Sequence, residues 1–174
     1  MRSTLITECA VDAAKGGVME KSAVIDGAYR YSLIRHWSGL RRVVFVMLNP
    51  STADAKKDDP TIRRCMSFAR KWGYGGIEVV NLFAYRATNP KELEHAPDPI
   101  GRDNDFYIRQ AVNRCGLVVA AWGANPIAIH RAMPVVGLIK TEAGELLRCL
   151  GKTKSGAPRH PLYVLDEQKL EIFK

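Results

Sequence analysis

The sequence predicts a single α/β domain over residues 1–174, with a central, largely parallel sheet of about four strands and helices on both faces. Three observations predict this fold. Short apolar runs rich in β-branched residues alternate with capped helices. A strand–helix–strand order over residues 43–82 favours parallel pairing. The 174 residues, of which 47% are hydrophobic, suit one core, with residues 1–27 as a peripheral N-terminal segment.

The N-terminal part is expected to extend this sheet by a hairpin. Residues 5–14 are expected to form a short helix. Residues 28–37 alternate between polar and apolar side chains like a strand, and Ser38-Gly39 supplies a turn. The next apolar run, residues 43–48, is therefore expected to pair with this strand.

Helices and strands alternate over the remainder of the chain. Asp59-Pro60 combines an N-cap with a first-turn proline and predicts a helix that ends at Gly73. The later elements are expected to be a strand over 77–82, a helix over 102–113, a strand from Leu117, a helix over 127–145 broken near Pro134 and Gly137, and a strand over 146–150.

Polar or aromatic residues follow three of these strands, in segments 48–54, 81–86 and 121–125. The carboxyl ends of parallel strands meet at one edge of a sheet, where ligands bind in open α/β folds. A local turn in which the side chains bond only the backbone is the alternative for any single segment. Three such ends predict a site. The residues expected to converge there are Asn49, Asp54, Asn81, Arg86 and Trp122.

Composition limits the class of protein. No apolar stretch approaches the roughly 18 residues that span a bilayer, and the N-terminus lacks the apolar core of a signal peptide, so a cytoplasmic protein is expected. The four cysteines are scattered singly among apolar residues and are expected to be reduced core thiols. No two histidines have metal-ligand spacing, and neither a metal nor another cofactor is expected.

The formal net charge of +8 permits long-range attraction to phosphates. The loop over residues 152–159 carries Lys152, Lys154 and Arg159 among glycine, serine and proline, as phosphate-contacting loops do. His160 follows this loop and precedes a proline, which favours an extended backbone that can aim its ring into a crevice. A solvated surface loop and a histidine bonded to a loop carbonyl are the alternatives.

Seven motifs carry a resemblance to known families. They are residues 31–33 (YSL), 48–54 (LNPSTAD), 59–64 (DPTIRR), 80–83 (VNLF), 102–105 (RDND), 121–123 (AWG) and 160–163 (HPLY). Over nearly the whole chain these motifs resemble the bacterial and phage domain-of-unknown-function 1643 family, which implies no activity. The order strand-Asn-Pro, strand-Asn, strand-Gly, loop-His-Pro is similar, more remotely, to the uracil-DNA glycosylase superfamily, especially its mismatch-specific branch.

The remote resemblance implies a three-layer α/β/α fold and roles for three residues. Asn49 would position the attacking water. Asp54 has no counterpart in that superfamily, as Arg63 and Arg86 have none, but a carboxylate is the better base, so Asp54 is a competing catalytic assignment. Asn81 would recognise a base edge, and His160 would stabilise charge on the departing base. Arg63 joins the three cations of the basic loop as a phosphate-binding candidate. The substrate-binding candidates are Pro50, Ser51, Thr52, Asn81, Phe83, Arg86, Trp122 and Gly123.

The chain departs from this superfamily in three places. Met47 and Ser51 stand where the mismatch branch has glycines, Leu162 replaces the serine of the His-Pro-Ser loop, and the iron–sulfur cysteines of another branch are absent. Two functions are therefore expected. One is hydrolysis of an N-glycosidic bond, and the other is non-catalytic binding of a nucleotide or nucleic acid by the same fold. Both make a nucleic acid or nucleotide the expected partner.

Overall fold

A computed structural model describes residues 6–12 and 18–174, and over these residues it has a mixed eight-stranded sheet. Across the sheet the strand order is β1-β2-β3-β5-β4-β6-β7-β8. The strands are β1 (Ile6–Asp12), β2 (Met19–Asp26), β3 (Tyr29–His36), β4 (Arg42–Met47), β5 (Gly76–Asn81), β6 (Leu117–Ala120), β7 (Leu147–Cys149) and β8 (Glu171–Ile172).

The α/β class is confirmed, but the sheet is larger and more antiparallel than predicted. Strand β4 pairs in parallel with β5 and β6, and β6 pairs in parallel with β7. The pairs β1–β2, β2–β3, β3–β5 and β7–β8 are antiparallel. Strand β1 occupies residues where a helix was expected, and β8 has only two residues. The prediction of about four strands missed the outer strands because they are short or weakly patterned in sequence.

The predicted pairing of residues 28–37 with residues 43–48 is wrong. Strand β3 pairs with β2 on one side and with β5 on the other, so β5 lies between β3 and β4. Stepping over one strand requires about 10 Å, twice the strand spacing. The five residues 37–41 can span about 16 Å when extended, so the connection reaches easily.

Three α-helices accompany the sheet in the described part of the chain: α1 (Pro60–Lys71), α2 (Asn104–Asn113) and α3 (Ala128–Ala143). Helix α1 starts as predicted, because the Asp59 carboxylate accepts the Ile62 N–H at 2.8 Å and Pro60 follows. The expected break in α3 is wrong. Pro134 and His130 are both exposed, so solvent can satisfy the carbonyl that proline leaves unpaired. None of these helices is long and apolar enough to cross a membrane.

The helices pack on opposite faces of the parallel strands. Val43, Phe45 and Met47 of β4 belong to the hydrophobic cluster that contains the buried side of α1. Val44 and Val46, which alternate with them, belong to the cluster that contains α2 and α3. Of the four cysteines, which are all free, three are buried as expected and Cys9 is exposed. The α1 face leads to the candidate site.

Candidate ligand-binding site

A cavity of about 700 Å³ opens at the carboxyl ends of β4, β5 and β6, on the α1 face of the sheet. Because these strands are parallel, their polar ends meet there as the strand-end rule predicts. The predicted site residues that line the cavity are Asn49, Ser51, Asn81, Trp122, Gly123, Lys154, Arg159 and His160. The predicted residues that do not line it are Pro50, Thr52, Asp54, Arg63, Phe83, Arg86 and Lys152.

Asn81 lines the cavity, and its buried side-chain amide is unpaired among the described residues. Its side chain is 1% exposed, and neither Nδ2 nor Oδ1 has a hydrogen-bond partner in the described chain. The backbone around it is well held, because Asn104 Nδ2 donates to the carbonyls of Asn81 and Leu82, each at 3.0 Å. Buried amides are normally hydrogen-bonded. An unpaired one in a cavity marks a group that a ligand can satisfy.

Asn49 lines the cavity and is held through its side-chain nitrogen. Its Nδ2 donates to the carbonyl of Ala87 at 2.7 Å and to that of Pro50 at 3.0 Å. Both amide donors are thereby occupied, whereas Oδ1 has no partner among the described residues. Asn49 can therefore accept a hydrogen bond from a ligand or a water in the cavity.

His160 lies at the same cavity with a defined tautomer. Its Nδ1 accepts the Leu162 N–H at 3.3 Å, so in the neutral ring the proton is on Nε2. Burial lowers the pKa of His160, opposed by the charge of Asp59, and favours the neutral form. Gly123 has a φ of +79°, and a Cβ added there would lie 3.6 Å from the Cβ of His160. The end of β6 and the His-Pro segment therefore meet.

Asp54 does not line the cavity. Its Oδ1 accepts the backbone N–H groups of Lys56 and Lys57, each at 2.8 Å, which forms a local turn. The N–H of Lys57 is the main cause of a lowered pKa at Asp54. Its own carbonyl accepts a hydrogen bond from Arg35 of β3. The structure thus gives Asp54 the turn role that the sequence left open as an alternative.

The other predicted residues outside the cavity have structural or surface positions. Phe83 is buried in the core beside α2 and α3, and Pro50 is buried with its carbonyl accepting the Ala87 N–H. Thr52 is exposed and Arg86 is half-buried. The cations Arg63 and Lys152 also lie outside: Arg63 Nη1 donates to the Asp58 carbonyl at 2.7 Å, and Lys152 Nζ lies 5.6 Å from the Phe173 ring centroid.

Arg30 lines the cavity although the sequence did not single it out. The register of β2 and β3 slips by one residue, so that Val24 pairs with Ser32 and Ile25 with Arg30. Tyr31 is the extra residue, and it stacks on Tyr107 of α2. Arg30 therefore points to the opposite, α1 face. Simple alternation along β3 would have placed Arg30 and Arg35 on different faces of the sheet. No local sequence signal marks the register slip that brings them to the same face.

Asp59 is the carboxylate that lines the cavity. Its Oδ1 caps α1, and its charge acts on both Arg30 and His160. The sequence identified Asp59 only as a helix cap. Because α1 begins at the carboxyl end of β4, a cap at this position also faces the strand ends. In the described chain no three His, Cys, Asp or Glu side chains are arranged to hold a metal ion.

A family model with the description "Protein of unknown function (DUF1643)" matches residues 30–162. The chain belongs to the DUF1643 family. The matched region of this DUF1643 protein starts at Arg30, includes His160, and contains every cavity-lining residue except Tyr163. No match was found among curated proteins, and none among solved structures. The cavity thus lies almost wholly within the part of the chain that defines the family.

Proposed function

We propose that this cavity binds the base of a nucleoside, nucleotide or nucleic acid and that the protein hydrolyses its N-glycosidic bond. The observation that carries the proposal is the buried, unpaired amide of Asn81 in the cavity wall. An asparagine amide offers donors and an acceptor side by side, which match the hydrogen-bonding edge of a base. The cavity volume of about 700 Å³ is within the range of small-ligand sites.

The hydrolytic step needs a positioned water on the sugar. Asn49 supports this role, because its amide is fixed through Nδ2 and its Oδ1 remains available to accept a hydrogen bond from water. Asp59 adds a carboxylate to the same cavity, where its negative charge can stabilise an oxocarbenium-like sugar. Water attacks the anomeric carbon, the bond to the base nitrogen breaks with its electron pair, and the proton that the water loses is taken up by the released base.

The departing base needs stabilisation of its developing negative charge. The neutral ring of His160 supports this role, because its Nδ1 is occupied by the Leu162 N–H and its Nε2–H is left as a donor. Lys154 and Arg159 line the cavity with exposed side chains and would contact the phosphates of a nucleotide or strand. A cytoplasmic location belongs to the same proposal, since these ligands occur there.

The arrangement of the strands also supports a uracil-DNA glycosylase-like, three-layer fold as part of the proposal. The parallel strands are adjacent in the order β5-β4-β6-β7, and α1 packs on the opposite face from α2 and α3. Non-catalytic binding is the second candidate. It is favoured by the orientation of Asp54, the second catalytic candidate, whose carboxylate is used in a local turn away from the cavity.

Chromatographic detection of free base tests the proposal. Nucleosides, nucleotides, single-stranded oligonucleotides and duplexes are incubated with the protein. The wild type should release base, and His160→Ala should lower the rate by about 100-fold, as expected for loss of one positioned donor. His130→Ala removes an exposed histidine of α3 and is the matched control. Binding of these ligands without base release would support the second candidate. Neither binding nor release would reject both.

A further inference from the structure

Arg30 is a buried cation with unused hydrogen-bond donors at the cavity. It is 2% exposed, and its Nη1 donates to the carbonyl of Ala53 at 2.6 Å. Neither Nε nor Nη2 has a partner, and no carboxylate is ion-paired with this guanidinium, within the described part of the chain. Arg35 differs, because it is equally buried but its Nε donates to the Asp58 carboxylate at 2.6 Å.

An unpaired guanidinium is costly to bury. Burial lowers the pKa of Arg30 to about 10, Asp59 opposes this effect, and Arg86 and Arg35 reinforce it. The single hydrogen bond to Ala53 supports the polar loop after β4 but leaves most of the guanidinium unsatisfied. An electron-rich oxygen placed in the cavity would supply both the missing acceptor and the missing negative charge.

We infer that Arg30 binds an electron-rich oxygen of the ligand beside Asn81 and thereby selects bases that present a carbonyl group beside a ring N–H. The two residues lie on neighbouring strands, and the Arg30 N–H donates to the carbonyl of Ala84, three residues after Asn81. Both residues line the cavity. In the described chain, neither Arg30 Nε nor the Asn81 amide has a hydrogen-bond partner. This inference rests on the proposed function, whose ligand it specifies.

The balance of donors and acceptors gives the preference its direction. Asn81 supplies two N–H donors and one acceptor, and Arg30 adds only donors. A base edge with a carbonyl beside a ring N–H, as in uracil and hypoxanthine, can satisfy this set. An exocyclic amino group, as in cytosine and adenine, would place a donor against the donors of Arg30. A phosphate oxygen has the same acceptor chemistry and is the second source of such an atom.

Isothermal titration calorimetry with uracil, hypoxanthine, cytosine, adenine and inorganic phosphate tests the inference. The wild type should bind uracil and hypoxanthine more tightly than cytosine and adenine. Arg30→Gln should weaken that binding by about 10- to 100-fold, the usual loss for a charge-assisted hydrogen bond. Arg41→Gln removes the same charge just before β4, at the opposite end of the strand, and should change nothing.

Each outcome of the titrations supports or overturns the inference about Arg30. Binding of phosphate that requires Arg30 would assign the oxygen to a phosphate and overturn the selection of uracil and hypoxanthine. Equal affinity of Arg30→Gln and wild type for every probe, or no binding of any probe, would overturn the role of Arg30 as well. If Arg30→Gln does not fold, Arg30→Lys keeps the charge but loses Nε–H and should still weaken base binding. Arg30-dependent binding without any base release would refute the hydrolytic function alone.

Discussion

Replacing Asn81 with leucine is expected to stabilise the unliganded protein and to abolish recognition of the base. The amide is 1% exposed and neither of its polar atoms is hydrogen-bonded in the described chain. A buried polar group without a partner costs about 1–3 kcal/mol. Leucine removes that cost and can extend into the adjacent cavity. The free energy of unfolding should rise by about 1–2 kcal/mol, which corresponds to about 2–8 °C in Tm for a chain of this size.

Asn104→Leu is the matched control with the opposite expected sign. Asn104 is 0% exposed, but its Nδ2 donates to two backbone carbonyls, those of Asn81 and Leu82. Leucine there leaves the Asn81 carbonyl without this donor, while the Leu82 carbonyl keeps Arg131 Nε at 3.0 Å, so the free energy of unfolding should fall by about 1–3 kcal/mol. Both variants thus replace a buried asparagine with leucine, at two neighbouring positions.

Urea denaturation followed by circular dichroism measures both changes, and binding of nucleobases by the folded variants is measured in parallel. The expected result is a more stable Asn81→Leu protein that no longer distinguishes bases. The reasoning would be refuted by an Asn81→Leu protein that is as unstable as Asn104→Leu, because Asn81 would then be a structural amide. It would be refuted equally by unchanged base discrimination.

Three further predictions concern the rim and the neighbourhood of the cavity. Since burial lowers the pKa of His160, ¹⁵N NMR should show a neutral ring protonated on Nε2 at pH 7. Stability should be full above the unfolded pKa of about 6.5 and decline as pH falls below it, since the unfolded chain binds that proton more tightly. A ring charged at pH 7 would be inconsistent with this reading. Replacing Lys154 and Arg159 with glutamine should flatten the slope of log affinity against log salt for duplex DNA, by about 0.9 per lost phosphate contact. Lys152 lies outside the cavity, so Lys152→Gln should leave this slope unchanged. An unchanged slope in the double variant would make the rim a solvated surface. Asp54→Ala should lose a local turn worth less than about 1 kcal/mol and retain base release, because its carboxylate faces Lys56 and Lys57; a well-folded variant without activity would return Asp54 to the site.

The parts of the site that the sequence predicted are those set by local rules. Strand-ending polar residues converge because β4, β5 and β6 are parallel, which brings Asn49, Asn81 and Trp122 to one cavity. Pro161 holds the segment that places His160 there. Asp59-Pro60 starts a helix because cap and first-turn proline act within a few residues.

The parts that were missed depend on long-range pairing or on competition between roles. Arg30 reaches the cavity through a one-residue slip between β2 and β3, which no pattern within β3 reveals. Strand β5 separates β3 from β4 because the chain connection is long enough to allow it, although a hairpin is equally compatible with the local sequence. For Asp54, the sequence permitted both a catalytic and a turn role, and the neighbouring N–H groups of Lys56 and Lys57 favour the turn.

The most direct test of the central claim is a crystal structure of the protein soaked with nucleobases and nucleotides. The account predicts a planar base in the cavity, within hydrogen-bond distance of the Asn81 amide and with His160 Nε2 near its glycosidic nitrogen or an adjacent oxygen. An empty cavity at saturating ligand would contradict the claim. So would a nucleotide bound only to the exposed cations of the rim with its base in solvent.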